Sequence, residues 1–290
     1  MYHAVKHAIK TGYRHIDLAP RYDNQKEIGK AISECIVEKI VTRKELIITS
    51  KLYHTCHQPV LVKLQLEEIL KETGLEYLDY FMMHSPWAFK PKFGDKITCE
   101  PFEDKFGAVV DQIDYLETWK AMLKCENVRF FATSNFNSKQ LYRLITETGY
   151  TPKINQVECH VLHQQPELLE FCKAKGIQLQ AYAPLGEMRV KGVDGKHVLE
   201  NDVLKEIARK HSASVAQVIL RYHYERGVAT IPKSKTFSRI EENFESLEAV
   251  GSLDAEDWTK LNGLDEGKRF FKFGWLAKAS PENYPFADRF

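Results

Sequence analysis

Seven short apolar runs, each followed by a stretch of helical spacing, constrain this chain more than any other feature. The strand-like runs are 14–18, 46–51, 78–84, 128–134, 154–159, 177–183 and 228–232. Helical patterns lie near 24–36, 60–73, 115–125, 138–148, 165–174, 201–210, 213–226 and 238–249. Strict alternation of this kind predicts right-handed crossovers and a parallel sheet. The strands are nearly unbroken apolar runs, as expected where both faces are buried. No Pro/Ser/Gly-rich linker divides the chain, so residues 1–290 read as one domain.

A doubly wound dinucleotide fold would place G-x-G-x-x-G after an early strand. None of the fifteen glycines forms that motif, and no P-loop is present. Polar residues instead follow nearly every strand in turn, which suits the rim of a closed (β/α)8 TIM barrel. Closure in that fold needs eight strands. The sequence supplies seven, one short of closure.

The 43% hydrophobic content supports a large core. A net charge of +1 without blocks of like charge argues against nucleic-acid and polybasic membrane surfaces. The longest apolar stretches are strand-sized, too short to span a bilayer. Residues 1–16 read as an amphipathic helix leading into a strand, without a signal-peptide core. The six cysteines (35, 56, 99, 125, 159 and 172) show no CxxC and no disulfide-framework spacing, which predicts a reduced, cytoplasmic setting. His54, Cys56 and His57 cluster, but they lack a downstream partner pair to complete a zinc tetrahedron.

Asp17, Tyr22, Lys51 and His84 sit at or just past three strand ends. Strand ends share one rim of a barrel, so these four would converge in a single mouth. A carboxylate, a phenol, an ammonium and an imidazole together make a proton-transfer site. A buried lysine needs a counter-ion, and Asp17 is the available one. A cation beside a phenol favours its ionised form, making Tyr22 a better acid near neutrality. The plainer alternative is a structural ion pair beside a surface tyrosine. Two insertions, 85–114 and 267 onward, carry Trp87, Phe89, Phe93, Phe102, Phe106, Phe270, Phe271, Phe273, Trp275 and Phe286. Such density suits the walls of an apolar pocket, with packing on the barrel exterior as the alternative.

The segment Gly12-Tyr13-Arg14-His15-Ile16-Asp17-Leu18-Ala19-Pro20-Arg21-Tyr22 resembles a signature of the aldo-keto reductase family. Thr49-Ser50-Lys51-Leu52 and His84-Ser85-Pro86 resemble that family's lysine and histidine motifs. Thr133-Ser134-Asn135-Phe136, Asn155-Gln156-Val157-Glu158-Cys159-His160 and Ala181-Tyr182-Ala183-Pro184-Leu185-Gly186 continue the likeness in the family's order. Ile231-Pro232-Lys233-Ser234, Arg239, Glu242-Asn243 and Tyr284-Pro285-Phe286 complete it.

That resemblance implies an NADPH-dependent reductase of aldehydes or ketones with Asp17, Tyr22, Lys51 and His84 as catalytic tetrad. Tyr22 would be the proton donor, and Tyr22, His84 and Trp87 would contact substrate. Ser134, Asn135 and Gln156 would hold the nicotinamide carboxamide, and Tyr182 would stack on the ring. Lys233, Ser234 and Arg239 would receive the 2′-phosphate, with Glu242 and Asn243 near adenine, and Asp17, Leu185 and Thr236 would also contact the cofactor. Ser238-Arg239-Ile240-Glu241 resembles a capping box, which would direct backbone N–H groups and two cations at one anion. Arg239 adds a planar fork suited to phosphate. A monomer acting on a small carbonyl compound is implied, without nucleic acid, membrane or metal.

Several positions depart from the pattern. Members begin with a hairpin and a first strand before the helix that here occupies residues 2–11. A shortened gene model, a splice form or an inactive variant would each explain this. Ser85 stands where many members have Trp, and Ala132 and Ala183 replace Gly and Ser beside the cofactor. Glu187 stands where members often have a Ser that contacts the pyrophosphate and would repel phosphate there, and the short segment 187–200 predicts fast cofactor exchange. A catalytically inactive or weakly active barrel acting as a binding or structural protein is the alternative function.

Overall fold

A computed structural model describes residues 1–92, 100–104, 107–187, 190–192, 194–274 and 276–286. Phe93, Cys99, Phe106 and Trp275 lie outside the described residues. The chain forms two compact units, Met1–Asn155 with Phe273–Asp288, and Gln156–Lys272 with Arg289–Phe290.

In the first unit, strands β1 (His15–Asp17), β2 (Ile47–Leu52), β3 (Leu78–Met83) and β4 (Val128–Ser134) pair in parallel and in chain order. The register places Asp17 beside Thr49 and Lys51 beside Met82. Each strand leads to a helix: α2 (Gln25–Val37), α3 (Pro59–Thr73), α4 (Tyr115–Met122) and α5 (Ser138–Thr148), with α1 (Tyr2–Thr11) preceding β1. The alternation read from sequence is therefore present, and the fold class is α/β.

Local chemistry sets the boundaries. Pro59 opens α3, and Gly74, at φ 68, ends it in the left-handed conformation that glycine adopts without a Cβ penalty. Asn137 and Gln140 form a reciprocal capping box at the start of α5. Gly29 lies where α2 crosses the end of α3. A Cβ there would come within 2.2 Å of the Thr73 carbonyl oxygen, so only glycine fits.

The interior is apolar and closely filled. Phe81, Met82, Met83, Ile48 and Leu52 are fully buried. Asp79, also buried, accepts from Ile48 N at 2.9 Å and pairs with Arg43 (2.8 Å) and Arg129 (3.0 Å). Those partners offset the cost of removing a carboxylate from water.

The strand β5 (Ile154–Glu158) carries the chain from the first unit into the second. There β6 (Gln178–Tyr182) pairs in parallel with β7 (Ala229–Thr230). The helices are α6 (Pro166–Lys175), α7 (Asp202–Lys210), α8 (Val215–Glu225), α9 (Phe237–Phe244), α10 (Ser246–Val250) and α11 (Ala255–Asn262). Leu204, Ile207, Val218, Ile219, Tyr222 and Leu261 form this unit's apolar centre.

Three expectations need correction. The pattern at 238–249 is two helices, because the chain breaks at Glu245. The helix Ala255–Asn262 was not anticipated, its sequence being mostly polar. The insertion after β3 contains two short antiparallel pairs, Ala88–Phe89 with Val110–Asp111 and Glu103–Asp104 with Gly107–Ala108. No helix among the described residues is long and apolar enough to cross a membrane.

Candidate active site

Strand ends in the first unit bring Asp17 and Lys51 together. Leu18 N donates to Thr49 O at 2.8 Å, which carries the β1–β2 register past the end of β1. Lys51, wholly removed from solvent, places Nζ 2.5 Å from Asp17 Oδ2 and 3.0 Å from Leu18 O. Burial alone would push the lysine pKa down. The Asp17 charge, the Tyr22 phenol and the hydrogen bond to Asp17 outweigh it, so the net shift is upward and the ammonium stays charged.

Tyr22 is delivered by a single 3-10 turn, Pro20–Tyr22. The turn follows the fully buried Leu18-Ala19 and closes with Asp23 N donating to Pro20 O at 3.1 Å. Proline in the first position presets the turn. The Lys51 ammonium lies 5.2 Å from the centroid of the Tyr22 ring, whose side chain is 45% exposed. His84 follows β3 and meets Tyr22 edge-on, ring centroids 6.3 Å apart and planes at 89°. The structure thus brings Asp17, Tyr22, Lys51 and His84 to one place.

The His84 ring is fixed on several sides. Its backbone N–H donates to Leu52 O at 3.2 Å, and its carbonyl accepts from Asn135 Nδ2 at 3.0 Å. Its Nδ1 is enclosed and has no hydrogen-bond partner among the described residues. Burial, assisted by His54, Lys51 and His57, holds its pKa well below the usual histidine value. The ring is therefore neutral near pH 7. With Nδ1 shut in, Nε2 is the nitrogen able to meet a ligand oxygen.

A second imidazole stands beside it. His54, on the 3-10 turn His54–Cys56, stacks on His84 with centroids 5.2 Å apart and planes at 29°. Its other ring neighbours are Tyr53 at 4.8 Å, Trp87 at 5.3 Å, Phe89 at 5.2 Å and, in parallel, His57 at 6.5 Å. Burial pushes the His57 pKa down to about 3 and that of His54 well below its ordinary value. Trp87 lies behind this stack, nearly out of solvent, against Phe273 at 5.5 Å and Phe286 at 6.1 Å. Phe102, by contrast, is half exposed. Sequence reasoning weighed His54 only as a metal ligand. Its position three residues after the buried Lys51 was the signal that it shares the same rim.

Ser134 ends β4 and is buried. Asn135 follows at φ 62, a left-handed conformation that asparagine tolerates. Its amide also donates to Ser134 Oγ at 3.2 Å.

In the second unit, Gln156 Nε2 donates to Gln180 Oε1 at 2.8 Å, and Tyr182 meets Phe271 edge-on at 5.7 Å. Leu185 packs on the unit's apolar centre. Lys233, Thr236 and Arg239 are exposed. Ser234 Oγ accepts from Thr236 N at 3.0 Å and turns the chain early, so α9 begins at Phe237 with Thr236 as its N-cap. The capping box expected at Ser238–Glu241 is therefore not formed, because Ser238 already lies inside the helix. Asn243 is buried, and the Glu242 carbonyl accepts from Gln217 Nε2 at 3.1 Å.

Glu158 lies at the end of β5. Its buried carboxylate accepts from Phe270 N at 2.5 Å, Phe271 N at 3.0 Å and His160 Nε2 at 3.0 Å. Burial raises its pKa, but His160 and the two N–H groups outweigh that and the net shift is downward. The Phe270 ring lies flat on His160, centroids 4.3 Å apart. One carboxylate thus anchors the loop that carries Phe271 to Tyr182.

Comparison with known proteins agrees with this geometry. A model of the aldo/keto reductase family matches residues 1–266. Over 98% of its length the chain is 39% identical to aldo-keto reductase family 1 member C3 of Homo sapiens, covering 88% of that protein. It is 40% identical to prostaglandin-E(2) 9-reductase of Oryctolagus cuniculus over 99% of its length, covering 89% of that protein. It is 41% identical to aldose reductase B of Dictyostelium discoideum over 92% of its length, covering 84% of that protein.

Proposed function

Because the chain belongs to the aldo/keto reductase family, an oxidoreductase family with the (β/α)8 fold, we propose that it reduces aldehydes or ketones to alcohols with NADPH. The observation that carries this reading is the convergence of Tyr22, Lys51, Asp17 and His84 at three strand ends.

The residues present fit a nicotinamide dinucleotide phosphate. Buried amides and hydroxyls of Ser134, Asn135 and Gln156 would hold the carboxamide, with Tyr182 and Leu185 against the ring. Lys233 and Arg239 form no ion pair among the described residues, and with Ser234 and Thr236 they precede or open α9, where a phosphate is favoured. Glu242 and Asn243 would flank adenine. When bound, the reduced cofactor supplies a hydride to the carbonyl carbon.

The side chains handle the proton and the charge. Tyr22 Oη donates its proton to the carbonyl oxygen as negative charge develops there. The Lys51 charge makes the remaining phenolate less costly, and Asp17 holds that ammonium in place. His84 Nε2–H donates to the same oxygen and fixes the carbonyl's orientation. Trp87, Phe89 and His54 form the apolar and aromatic backing of the tetrad. The five described cysteines are all free, which supports a reducing, cytoplasmic compartment.

The test is tryptophan-fluorescence quenching by NADPH, followed by loss of nicotinamide absorbance with nitrobenzaldehyde. Tyr22→Phe should bind NADPH as the parent does while kcat falls by about 10²–10⁴-fold. Cofactor binding without turnover in the parent protein would overturn the enzymatic reading in favour of a binding protein on the same scaffold.

A further inference from the structure

Resting on the reductase reading, we propose that Arg21 and His54 form a carboxylate-receiving subsite beside the tetrad, so that the substrates are carbonyl compounds bearing an acid group.

Arg21 occupies the middle of the single turn that ends in Tyr22, so its backbone is fixed one residue from the proton donor. Its side chain is exposed and makes no ion pair or hydrogen bond among the described residues. Asp23, also exposed, follows in a left-handed conformation, φ 50, and forms no ion pair with it. Arg21 adjoins Tyr22, Tyr22 meets His84 edge-on, and His84 carries His54 on its face, so both groups border the same pair of rings.

His54 supplies the second half. Its Nδ1 is enclosed without a hydrogen-bond partner among the described residues. The side chain as a whole is only partly buried, which leaves Nε2 as the nitrogen facing outward. Stacked on His84, the two imidazoles present neighbouring edges about one ring-stack apart, 5.2 Å between centroids. One edge serves the reacting carbonyl. The other is free to meet a second oxygen of the same molecule.

Charge selects which second group that is. Asp17 is committed to Lys51, so the pair adds little net field. Arg21 is the cation of this turn without a partner among the described residues, and a guanidinium holds a carboxylate through two parallel hydrogen bonds. Neutral His54 adds one more donor without a competing charge. An apolar carbonyl compound would engage neither group.

The experiment compares para-carboxybenzaldehyde with its methyl ester, methyl para-formylbenzoate, in the intact protein. The parent should favour the acid by about tenfold in kcat/KM, the value of one charge-assisted hydrogen bond. In Arg21→Gln the acid-to-ester ratio should fall towards one, Arg21→Lys should restore part of it, and His54→Phe should lower it while keeping the stack. Quenching of tryptophan fluorescence by para-toluate against para-toluamide reports the same preference without turnover. Equal use of acid and ester by the parent, or a ratio unmoved by Arg21→Gln, overturns the subsite. If neither aldehyde is reduced, the reductase reading fails, and the toluate measurement alone then decides on the subsite: no preference for the anion overturns it.

Discussion

Lys51 and Tyr22 stand 5.2 Å apart, ammonium to ring centroid, yet one is wholly buried while the other is nearly half exposed. A charge kept from water thus stands beside a phenol open to solvent.

Breaking the pair should damage the fold as well as the chemistry. Asp17→Ala leaves a buried ammonium without its counter-ion and should cost about 3–5 kcal/mol, read from urea unfolding. Lys51→Met removes the charge and keeps the volume, with Asp17 left at the edge of solvent, so its loss of stability should be smaller while turnover is abolished. The folded Lys51 pKa is raised. Its stabilising contribution is therefore complete below the unfolded value of about 10.4 and lost as pH rises through the folded one.

The imidazole stack should make the protein acid-labile. His57, His54 and His84 all have folded pKa values below the unfolded value of about 6.5. Between the two values the unfolded chain binds more protons, so stability falls as pH drops from about 6.5 towards the folded values. Urea midpoints measured from pH 7 to 4 should fall steeply. His57→Leu should flatten that slope; an unchanged slope would remove His57 from the account.

Glu158 should control the loop that bears Phe270 and Phe271. Replacing it with alanine leaves two backbone N–H groups and His160 without their acceptor, at about 1–3 kcal/mol for each unsatisfied buried group. Hydrogen exchange at residues 265–272 should accelerate in Glu158→Ala, whereas Glu158→Gln should retain part of the protection through its carbonyl oxygen.

Cofactor choice should reside in Arg239. Arg239→Ala should weaken NADPH by about tenfold, the worth of one charge-assisted contact, and leave NADH little changed. Fluorescence titration of both cofactors gives the comparison. Equal losses for the two would point to helix disruption rather than phosphate recognition.

Much of this architecture was legible from residues alone because its strands are continuous apolar runs. The run at 128–134 matches β4 residue for residue, and the helix at 138–148 is bounded by Asn137 and Gly149 as capping rules require. Two-residue strands such as Ala88–Phe89 carry no period and could not be read. Helix α11 was missed because Asp254 and Asp257 look like solvated charges, although they form its capping box. The convergence of Asp17, Tyr22, Lys51 and His84 was legible because strand ends fix positions without detailed packing. His54 was not, since nothing in its neighbourhood of sequence states that a ring lies against His84 rather than a metal. The anchoring role of Glu158 could not be read either, because its partners, Phe270 and Phe271, are over a hundred residues away.

Trp87 touches Phe273 and Phe286, so two stretches nearly two hundred positions apart share one aromatic contact. Neither can be exchanged with a homologue's counterpart by itself. A chimera that swaps the segment after β3 but keeps the native tail would set a foreign side chain against these phenyl rings. Grafting substrate preference between such proteins therefore demands that both stretches travel as a pair.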